Sequence, residues 1–490
     1  MDREKENEKA PKTHLLTKGA KVSKKGEHQN NLDCSNLVPS RKPDSAKTYF
    51  HQGVSFAKLG RHEEALESYN KAISLRPDYA KTHSHKGFSL FELKRYEESI
   101  ESYFQALFFD PHDSTSYSFK GSSLSRLGRA EESIESHDKA ISLGPDYGKS
   151  YYRKGDSLFK FEMFEEALES FDKAISLCPW FAKAYHCKGN ALFELKRYEE
   201  AFQAYDRVVS LDPSFAKAHY SKGNALNELG RFEESLQSYD KAISLKPDFA
   251  QALTQKGNIL YKLERYKEAL DFYDKAISLQ PNLAKSYQCK GNTLYKLKRY
   301  QEAIDFYDIV ISLDPNFAKA WLSKGNALCV LGRHEEAIEL FDKAISLKPN
   351  FFTAFMNKGK AFSHMKRSQE ALECCNKCLS LRPGDHEANT LKVSLLNKLK
   401  RYQETMQVIK GCLGRNPKDS LWHCYLARTF GYAGNKNKAR EHYTFAKFFL
   451  EGSKRFLSQK DVRWIERFFR RIEELEIGFE KSQNNHPNLI

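Results

Sequence analysis

Residues 182–215 read AKAYHCKGNALFELKRYEEAFQAYDRVVSLDPSF, and the tripeptide KGN within this stretch recurs along the chain at a fixed spacing. Further copies of KGN begin at residues 222, 256, 290 and 324, each 34 residues after the one before. Twelve prolines keep the same spacing, at positions 43, 77, 111, 145, 179, 213, 247, 281, 315, 349, 383 and 417. A constant period of this length predicts one supersecondary unit that is stacked many times.

Seven positions of the 34-residue unit carry recurring residue types, with residue 182 counted as position 1. At positions 4, 8, 11, 20, 24, 27 and 32, the unit 182–215 has Tyr185, Gly189, Leu192, Ala201, Tyr205, Val208 and Pro213. The unit 318–351 has Trp321, Gly325, Leu328, Ala337, Phe341, Ala344 and Pro349 there. This pattern resembles the tetratricopeptide repeat (TPR) family. The resemblance implies an all-α fold, a right-handed superhelical solenoid of antiparallel helix pairs.

Each recurring residue has a physical role in such a helix pair. Small residues at positions 8, 20 and 27 let two helix backbones approach closely, and aromatic rings fill the remaining space. Proline at position 32 ends the second helix because it has no N–H group and restricts the residue before it. The turn within a pair is predicted at the Gly-Arg or Lys-Arg step, as at Gly230-Arg231 and Lys196-Arg197.

The period also predicts how the chain is divided. Residues 46–385 form ten well-matched units, and residues 386–453 form two degenerate units with Val393 and Ala427 at the glycine position. Residues 454–482 have apolar residues at helical spacing and are predicted to form a basic C-terminal capping helix. The alternatives for this helix are docking of a partner or contact with an acidic membrane surface. Residues 1–45 and 483–490 are polar and predicted to be disordered tails.

Composition limits the class of protein. The chain of 490 residues has a net charge of +15, of which residues 386–490 contribute 20 Lys/Arg against 11 acidic residues. No run of 18 apolar residues is present, and the first 45 residues lack the apolar core of a secretory signal. The ten cysteines are irregularly spaced, which favours reduced thiols. We therefore expect a cytoplasmic or nuclear protein without a membrane span.

No motif in the sequence indicates catalysis. GPDYGKS at 144–150 has three residues between its glycines where a phosphate-binding P-loop has four. In CCNKC at 374–378, Cys375 and Cys378 occupy core positions, where cysteine acts as a small apolar residue. We predict a protein that is not an enzyme and has no metal site and no cofactor.

A lysine occupies position 7, usually apolar in the family, in nine consecutive units from Lys86 to Lys358. Seven of these lysines follow, by 16 residues, an aspartate at position 25 of the preceding unit. The aspartates are Asp138, Asp172, Asp206, Asp240, Asp274, Asp308 and Asp342. We predict a ladder of ion pairs between neighbouring repeats, because an unpaired ammonium on a packed face is costly.

Positions 2, 5, 6, 9, 12 and 13 share the other face of the first helix, which lines the concave groove in TPR proteins. The candidate groove residues are Asn190, Asn224, Asn258, Asn292 and Asn326 at position 9, Lys183, Lys217, Lys285 and Lys319 at position 2, and Tyr261 and Tyr295 at position 12. The amides could pair with the backbone of an extended peptide, and the lysines favour acidic side chains or a free C-terminus. Alternatively, the asparagines form hydrogen bonds between helices.

These features predict a non-enzymatic adaptor or scaffold that holds an extended or helical segment of another protein, with acidic character, in its groove. A nucleic-acid-associated factor that uses the basic C-terminal third is the alternative, although the nearly neutral repeats make nucleic acid a less favoured partner. A co-chaperone-like or complex-assembly factor is a further alternative, but the dicarboxylate clamp of such proteins is incomplete. Lys149 and Arg153 meet the requirement for its third unit, whereas the two preceding units have Ser84, Phe88 and Phe119 instead of the clamp residues. Self-association through the end repeats is also compatible with the sequence.

Overall fold

The computed structural model describes residues 45–453, which form 24 helices and no strand. Residues 1–44, the predicted capping helix at 454–482 and the tail at 483–490 lie outside the described residues. The helices are α1 (Ala46–Lys58), α2 (His62–Leu75), α3 (Ala80–Glu92), α4 (Tyr96–Phe109), α5 (Ser114–Arg126), α6 (Ala130–Leu143), α7 (Gly148–Lys160), α8 (Phe164–Leu177), α9 (Ala182–Glu194), α10 (Tyr198–Leu211), α11 (Ala216–Glu228), α12 (Phe232–Leu245), α13 (Ala250–Lys262), α14 (Tyr266–Leu279), α15 (Ala284–Lys296), α16 (Tyr300–Leu313), α17 (Ala318–Val330), α18 (His334–Leu347), α19 (Phe352–His364), α20 (Ser368–Leu381), α21 (His386–Lys398), α22 (Tyr402–Arg415), α23 (Ser420–Tyr432) and α24 (Lys436–Ser453).

Odd-numbered helices are the first helices of the repeats, and even-numbered helices are the second. The chain divides between Leu127 and Gly128 into two compact parts, which we call the first unit and the second unit, whereas each 34-residue helix pair is called a repeat. Within each unit, a first helix packs against the second helix that follows it, and this helix packs against the next first helix. The predicted all-α stack of helix pairs is therefore confirmed, whereas the right-handed superhelix remains a prediction.

The glycine at position 8 faces the ring at position 24 of the same repeat. A Cβ atom built on Gly189 would lie 2.5 Å from Cε1 of Tyr205, which is closer than carbon atoms can approach. Ala201 and Val208, at positions 20 and 27, are fully buried. The two helices of a pair therefore pack in the way that the recurring small residues predict.

The turn between the two helices lies at the predicted step. Position 15 has a positive φ in all twelve repeats of the described residues, for example 75° at Gly230 and 61° at Lys196. A glycine adopts this left-handed conformation without steric cost, and a lysine adopts it at some cost. The arginine that follows is tied to the second helix, since Arg231 donates two hydrogen bonds to the carboxylate of Glu234.

The predicted ion-pair ladder is present in all seven places. The Lys Nζ to Asp Oδ1 distance is 2.5 Å in Lys154–Asp138 and Lys222–Asp206, and 2.6 Å in Lys188–Asp172 and Lys324–Asp308. The same atoms pair in Lys256–Asp240, Lys290–Asp274 and Lys358–Asp342. The lysine stems are largely buried and the aspartates half-exposed, so the ladder runs along the edge of the packed face and joins each repeat to the next.

In the first repeat, residues 46–79, position 25 holds Asn70 instead of an aspartate, and the ladder does not extend to Lys86. Burial lowers the pKa of Lys86, although the nearby charge of Glu98 opposes that shift. The contrast shows what the aspartates supply in the second unit, where a partly buried ammonium has a direct counter-ion.

We expect the substitution Asp240→Asn to lower the free energy of unfolding by about 0.5–1 kcal/mol at low salt, since half-exposed ion pairs contribute little. The ammonium of Lys256 then keeps the ring of Phe272, whose centroid is 4.2 Å away, and the nearby charge of Glu268. Urea unfolding at low salt and at about 1 M salt measures the effect, which should shrink as salt screens the pair. Asp271→Asn, outside the ladder, is the control. A loss that is independent of salt would contradict an electrostatic role.

Candidate functional site

The first helices line the inner side of each unit. Cα atoms of consecutive first helices come within 8 Å of one another inside each unit, whereas consecutive second helices do not, among the helices that the structure describes. Side chains on this side form hydrogen bonds between repeats. Gln288 donates to Oγ of Ser323 at 3.0 Å, and Lys262 donates to Oδ1 of Asn227 at 2.8 Å. We call the surface formed by positions 2, 5, 6, 9, 12 and 13 of α7 to α23 the inner face of the second unit.

The asparagines at position 9 lie half-buried on this inner face, and four of them accept a hydrogen bond from a tyrosine. The tyrosine is at position 24 of the same repeat, and its hydroxyl donates to the amide Oδ1. The bonds are Tyr205 to Asn190 at 2.8 Å, Tyr239 to Asn224 at 2.7 Å, Tyr273 to Asn258 at 2.9 Å and Tyr307 to Asn292 at 3.0 Å. Burial raises the pKa of these tyrosines, so the hydroxyls remain protonated donors.

Asn326 differs because position 24 of its repeat is Phe341, which has no hydroxyl. Its Oδ1 accepts instead from Nδ2 of Asn357 in the next repeat, at 2.7 Å. In all five repeats the carbonyl oxygen of the asparagine is therefore used inside the protein. The N–H groups are what this column can offer to another molecule, although that of Asn258 donates to Gln255 at 2.7 Å.

The predicted lysines are exposed and form an edge of the inner face. Lys183, Lys217, Lys285 and Lys319 lie one helical turn or more from the asparagines. Lys217 is close enough to His186 to help lower the pKa of that imidazole to about 4, although burial is the larger cause. The lysines and asparagines thus lie on one face but are not gathered in one cavity.

The two predicted tyrosines are half-buried on the same face. Tyr261 packs edge-on against Tyr266, with 5.5 Å between ring centroids, and Tyr295 packs in the same way against Tyr300 at 5.2 Å. Burial raises the pKa of both predicted tyrosines. Tyr295 also lines a cavity.

Three cavities open on the inner face, at places where neighbouring repeats meet. The Glu194 cavity, of about 290 Å³, is lined by Phe159, Asn190, Phe193, Glu194, Tyr205, Ser221 and Asn224. The His334 cavity, of about 600 Å³, is lined by Tyr295, Asn326, Cys329, Val330, Gly332, His334, Asn357, Lys360, Ala361 and His364. The Arg428 cavity, of about 270 Å³, is lined by Ser394, Asn397, Lys398, Lys400, Tyr402, Tyr425, Arg428 and Tyr432.

Sequence reasoning did not single out most of the residues in these cavities. Glu194, Lys398 and Arg428 do not recur from repeat to repeat, so a prediction based on recurring residues does not include them. The sequence signal that could have indicated them is variation, because they lie at positions 9 and 13 of the inner face, where the residue type changes from repeat to repeat. Position 13 is free to differ because its side chain is exposed in most repeats, and position 9 holds Lys360 in a repeat where no tyrosine at position 24 needs an acceptor.

Models of the tetratricopeptide repeat match several parts of the chain. The model described as TPR repeat matches residues 53–94, 189–230 and 223–263. One model described as Tetratricopeptide repeat matches residues 250–283, 284–317, 318–351 and 352–385. A second model with that description matches residues 148–179. Together these ranges cover more than half of the chain. The chain belongs to the TPR family. Its helix pairs and the glycine–ring contact agree with that assignment.

Solved structures of similar proteins each match a part of this TPR protein. The crystal structure of YrrB, described as a TPR protein with an unusual peptide-binding site, is 28% identical, with a TM-score of 0.33; the match covers 41% of this chain and 99% of that chain. The crystal structure of MamA is 25% identical, with a TM-score of 0.31, and covers 33% of this chain and 94% of that chain. No curated protein is significantly similar to the chain in sequence.

The chemistry of the TPR array in residues 45–453 is limited in two ways. These residues contain no group of three or more His, Cys, Asp or Glu side chains placed to hold a metal ion. No helix in this range is both long and apolar enough to cross a lipid bilayer. Burial raises the pKa of the Cys375 thiol to about 12, which disfavours the reactive thiolate in the CCNKC segment. TPR proteins bind other proteins, and the stacked helices of this chain form an interaction scaffold of that kind.

Proposed function

We propose that the protein is a non-enzymatic adaptor and that the inner face of its second unit binds an extended or helical segment of another protein. The observation that carries this proposal is the column of position-9 asparagines, whose oxygens are held by internal hydrogen bonds. That arrangement fixes each amide plane and directs its N–H groups away from the tyrosine. A row of oriented donors suits a peptide backbone, whose carbonyl oxygens recur in every residue.

Site-specific photo-cross-linking tests which face binds. A photoreactive phenylalanine analogue is placed at the exposed inner-face positions 228 or 262, and in matched variants at the exposed second-helix positions 233 or 267. After irradiation in cells that make the full chain, we expect adducts with a partner protein from positions 228 and 262, and mass spectrometry identifies the linked segment. Adducts formed mainly from positions 233 and 267 would place the binding surface on the other side and refute the proposal.

A pair of isosteric substitutions separates the two roles of an asparagine. Asn224→Asp keeps an oxygen to accept from Tyr239 but removes the N–H donors, so we expect about a 2–10-fold loss of affinity for the cross-linked segment and little change in stability. Tyr239→Phe removes the internal hydrogen bond, and it should lower the free energy of unfolding by about 1 kcal/mol while affinity changes less than twofold. Titration calorimetry and urea unfolding measure both quantities. If Asn224→Asp leaves affinity unchanged, the column is structural only.

A further inference from the structure

The three inner-face cavities are built from the same repeat positions. Each is lined by positions 9, 12 and 13 of one repeat and by positions 6 and 9 of the next, as in Asn190, Phe193 and Glu194 with Ser221 and Asn224. The corresponding residues in the Arg428 cavity are Ser394, Asn397 and Lys398 with Tyr425 and Arg428. The three cavities are therefore at equivalent places along one surface, and different side chains line them.

The charge at these equivalent positions changes along the second unit from α9 onward, since α7 has both Asp156 at position 9 and Lys160 at position 13. Position 13 is acidic in two consecutive repeats, at Glu194 and Glu228, and then basic at Lys262 and Lys296. Between Glu228 and Arg428, positions 9, 12 and 13 contain no acidic residue. Lys262 marks the border, since its Nζ donates to Asn227, which in turn donates to Oε1 of Glu228 at 3.0 Å.

The Glu194 cavity has the chemistry to bind a cationic side chain. It combines one exposed carboxylate, that of Glu194, with the rings of Phe159 and Phe193. A Lys or Arg side chain gains a charge-assisted hydrogen bond from such a carboxylate and a cation–π contact from the rings.

The Arg428 cavity has the opposite chemistry. Lys398, Lys400 and Arg428 line it together with tyrosines and no acidic residue. Nε of Arg428 donates to the hydroxyl of Tyr432 at 2.7 Å, which holds the guanidinium over that ring. Three cations within one cavity fit one or more carboxylates of a partner.

The His334 cavity, between the other two, is weakly basic. Lys360 lines it, but the carboxylate of Glu387 lies 2.6 Å from the ammonium of that lysine, so the ion pair has no net charge. The imidazole rings of His334 and His364 are stacked with 5.3 Å between centroids. The strongest contrast in charge is therefore between the Glu194 and Arg428 cavities, which lie six repeats apart.

We propose that the inner face of the second unit selects a protein segment with basic side chains at one end and acidic side chains at the other, and holds it in one orientation. This inference rests on the proposed function. First helices that are neighbours lie about 9 Å apart, so six repeats correspond to roughly 55 Å. An extended chain covers that distance with about 17 residues. The charged ends of the segment are thus separated by about that length.

Synthetic peptides test the inference against the full-length protein. The probe is a fluorescent 20-residue peptide of Gly, Ser, Ala and Gln with Lys-Arg-Lys at one end and Glu-Asp-Glu at the other. A peptide of the same composition with its charges alternating along the chain is the control. We expect the bipolar peptide to bind at least tenfold more tightly in fluorescence anisotropy at low salt, because only it places each charge at a complementary cavity.

Charge reversal at exposed residues tests the orientation. Glu194→Lys with Glu228→Lys, or Lys398→Glu with Arg428→Glu, should each weaken binding of the bipolar peptide about tenfold. All four reversals together should restore binding with the peptide turned around. A photoreactive group at the basic end then cross-links near residue 398 in the quadruple variant and near residue 194 in the natural chain. Circular dichroism confirms that each variant is folded, as expected for exposed side chains.

Several results would overturn the inference. Equal affinity for the bipolar and alternating peptides, or tighter binding of a single-stranded oligonucleotide than of either peptide, would show that the charge gradient selects no oriented protein segment. Failure of all peptides to bind at 1 mM (roughly the limit of a useful affinity) would show that the gradient does not suffice for binding. Cross-linking at position 228 decides the proposed function separately, because it does not depend on these probes.

Discussion

The substitution Gly223→Ala is expected to lower the free energy of unfolding by about 2–3 kcal/mol, although alanine favours helices more than glycine does. A Cβ atom at this position would lie 2.6 Å from Cε1 of Tyr239. The ring cannot move aside easily, since it is 1% exposed and its hydroxyl is bonded to Asn224. The two helices of the repeat must therefore separate, and packing is lost on both sides.

Gly411→Ala is the matched control for this prediction. Gly411 lies in α22, is exposed, and has no atom within 4 Å of where a Cβ would be. There the same substitution should raise the free energy of unfolding by up to about 1 kcal/mol, because only the helix preference changes. Urea unfolding measures both variants. Equal effects of the two substitutions would mean that the glycine–ring contact does not limit the approach of the helices.

The double variant of Gly223→Ala with Tyr239→Leu locates the cause. Tyr239→Leu alone leaves a cavity and should cost about 2–4 kcal/mol. Since the smaller side chain leaves space for the new methyl group, the combined loss should be clearly less than the sum of the single losses. Additive losses would indicate that the alanine disturbs some other contact.

The sequence predicted the parts of this structure that repeat. A period of 34 residues placed the helix pairs, and the matched spacing of Lys188 and Asp172 was enough to predict an ion pair between repeats. These features could be found because the same packing problem is solved in the same way in each repeat. A residue type that recurs in register therefore marks a contact that every repeat makes.

The candidate site was harder to predict because it depends on side-chain orientation and on differences between repeats. An asparagine at position 9 was placed on the inner face, but the sequence does not show that a tyrosine 15 residues later uses its oxygen. Nor does it show that Glu194 and Arg428 line equivalent cavities, since each cavity forms only where neighbouring repeats meet. The proposed selection of a segment with charged ends rests on those departures from the consensus.

A second large effect on stability is expected when the pH is lowered. The free energy of unfolding is expected to fall by about 2–3 kcal/mol between pH 6.5 and pH 4.5 because of His137 alone. This imidazole occupies position 24 of its repeat and is fully buried. Its Nε2 lies 3.0 Å from Oγ of Ser157, while Nδ1 is buried without a hydrogen-bond partner among the described residues. Burial lowers its pKa to about 3, and the charges of Arg153 and Lys154 add to the shift.

The loss of stability at low pH follows from proton binding. Below pH 6.5 the unfolded chain protonates this histidine and the folded chain does not, so the unfolded state gains stability as pH falls. Above pH 6.5 His137 is neutral in both states and does not lower the free energy of unfolding. The loss that it causes grows as the pH falls from 6.5 to about 3, where the folded form also binds the proton. His186, with a pKa of about 4, acts in the same direction. Carboxylates held low by arginines, such as Glu200, lose their contribution mainly below pH 4.5.

Two substitutions at position 24 test this explanation in opposite directions. His137→Phe places at this position the residue that the next repeat has as Phe171, and it should remove about half of the loss between pH 6.5 and 4.5 that His137 and His186 produce together. Phe171→His places a second imidazole in the equivalent buried position and should add a comparable loss. Urea unfolding at pH 7.5, 6.5, 5.5 and 4.5 measures both. If His137→Phe leaves the pH dependence unchanged, other groups cause it. A loss in Phe171→His that is the same at every pH would show that the size of the side chain, and not its charge, is responsible.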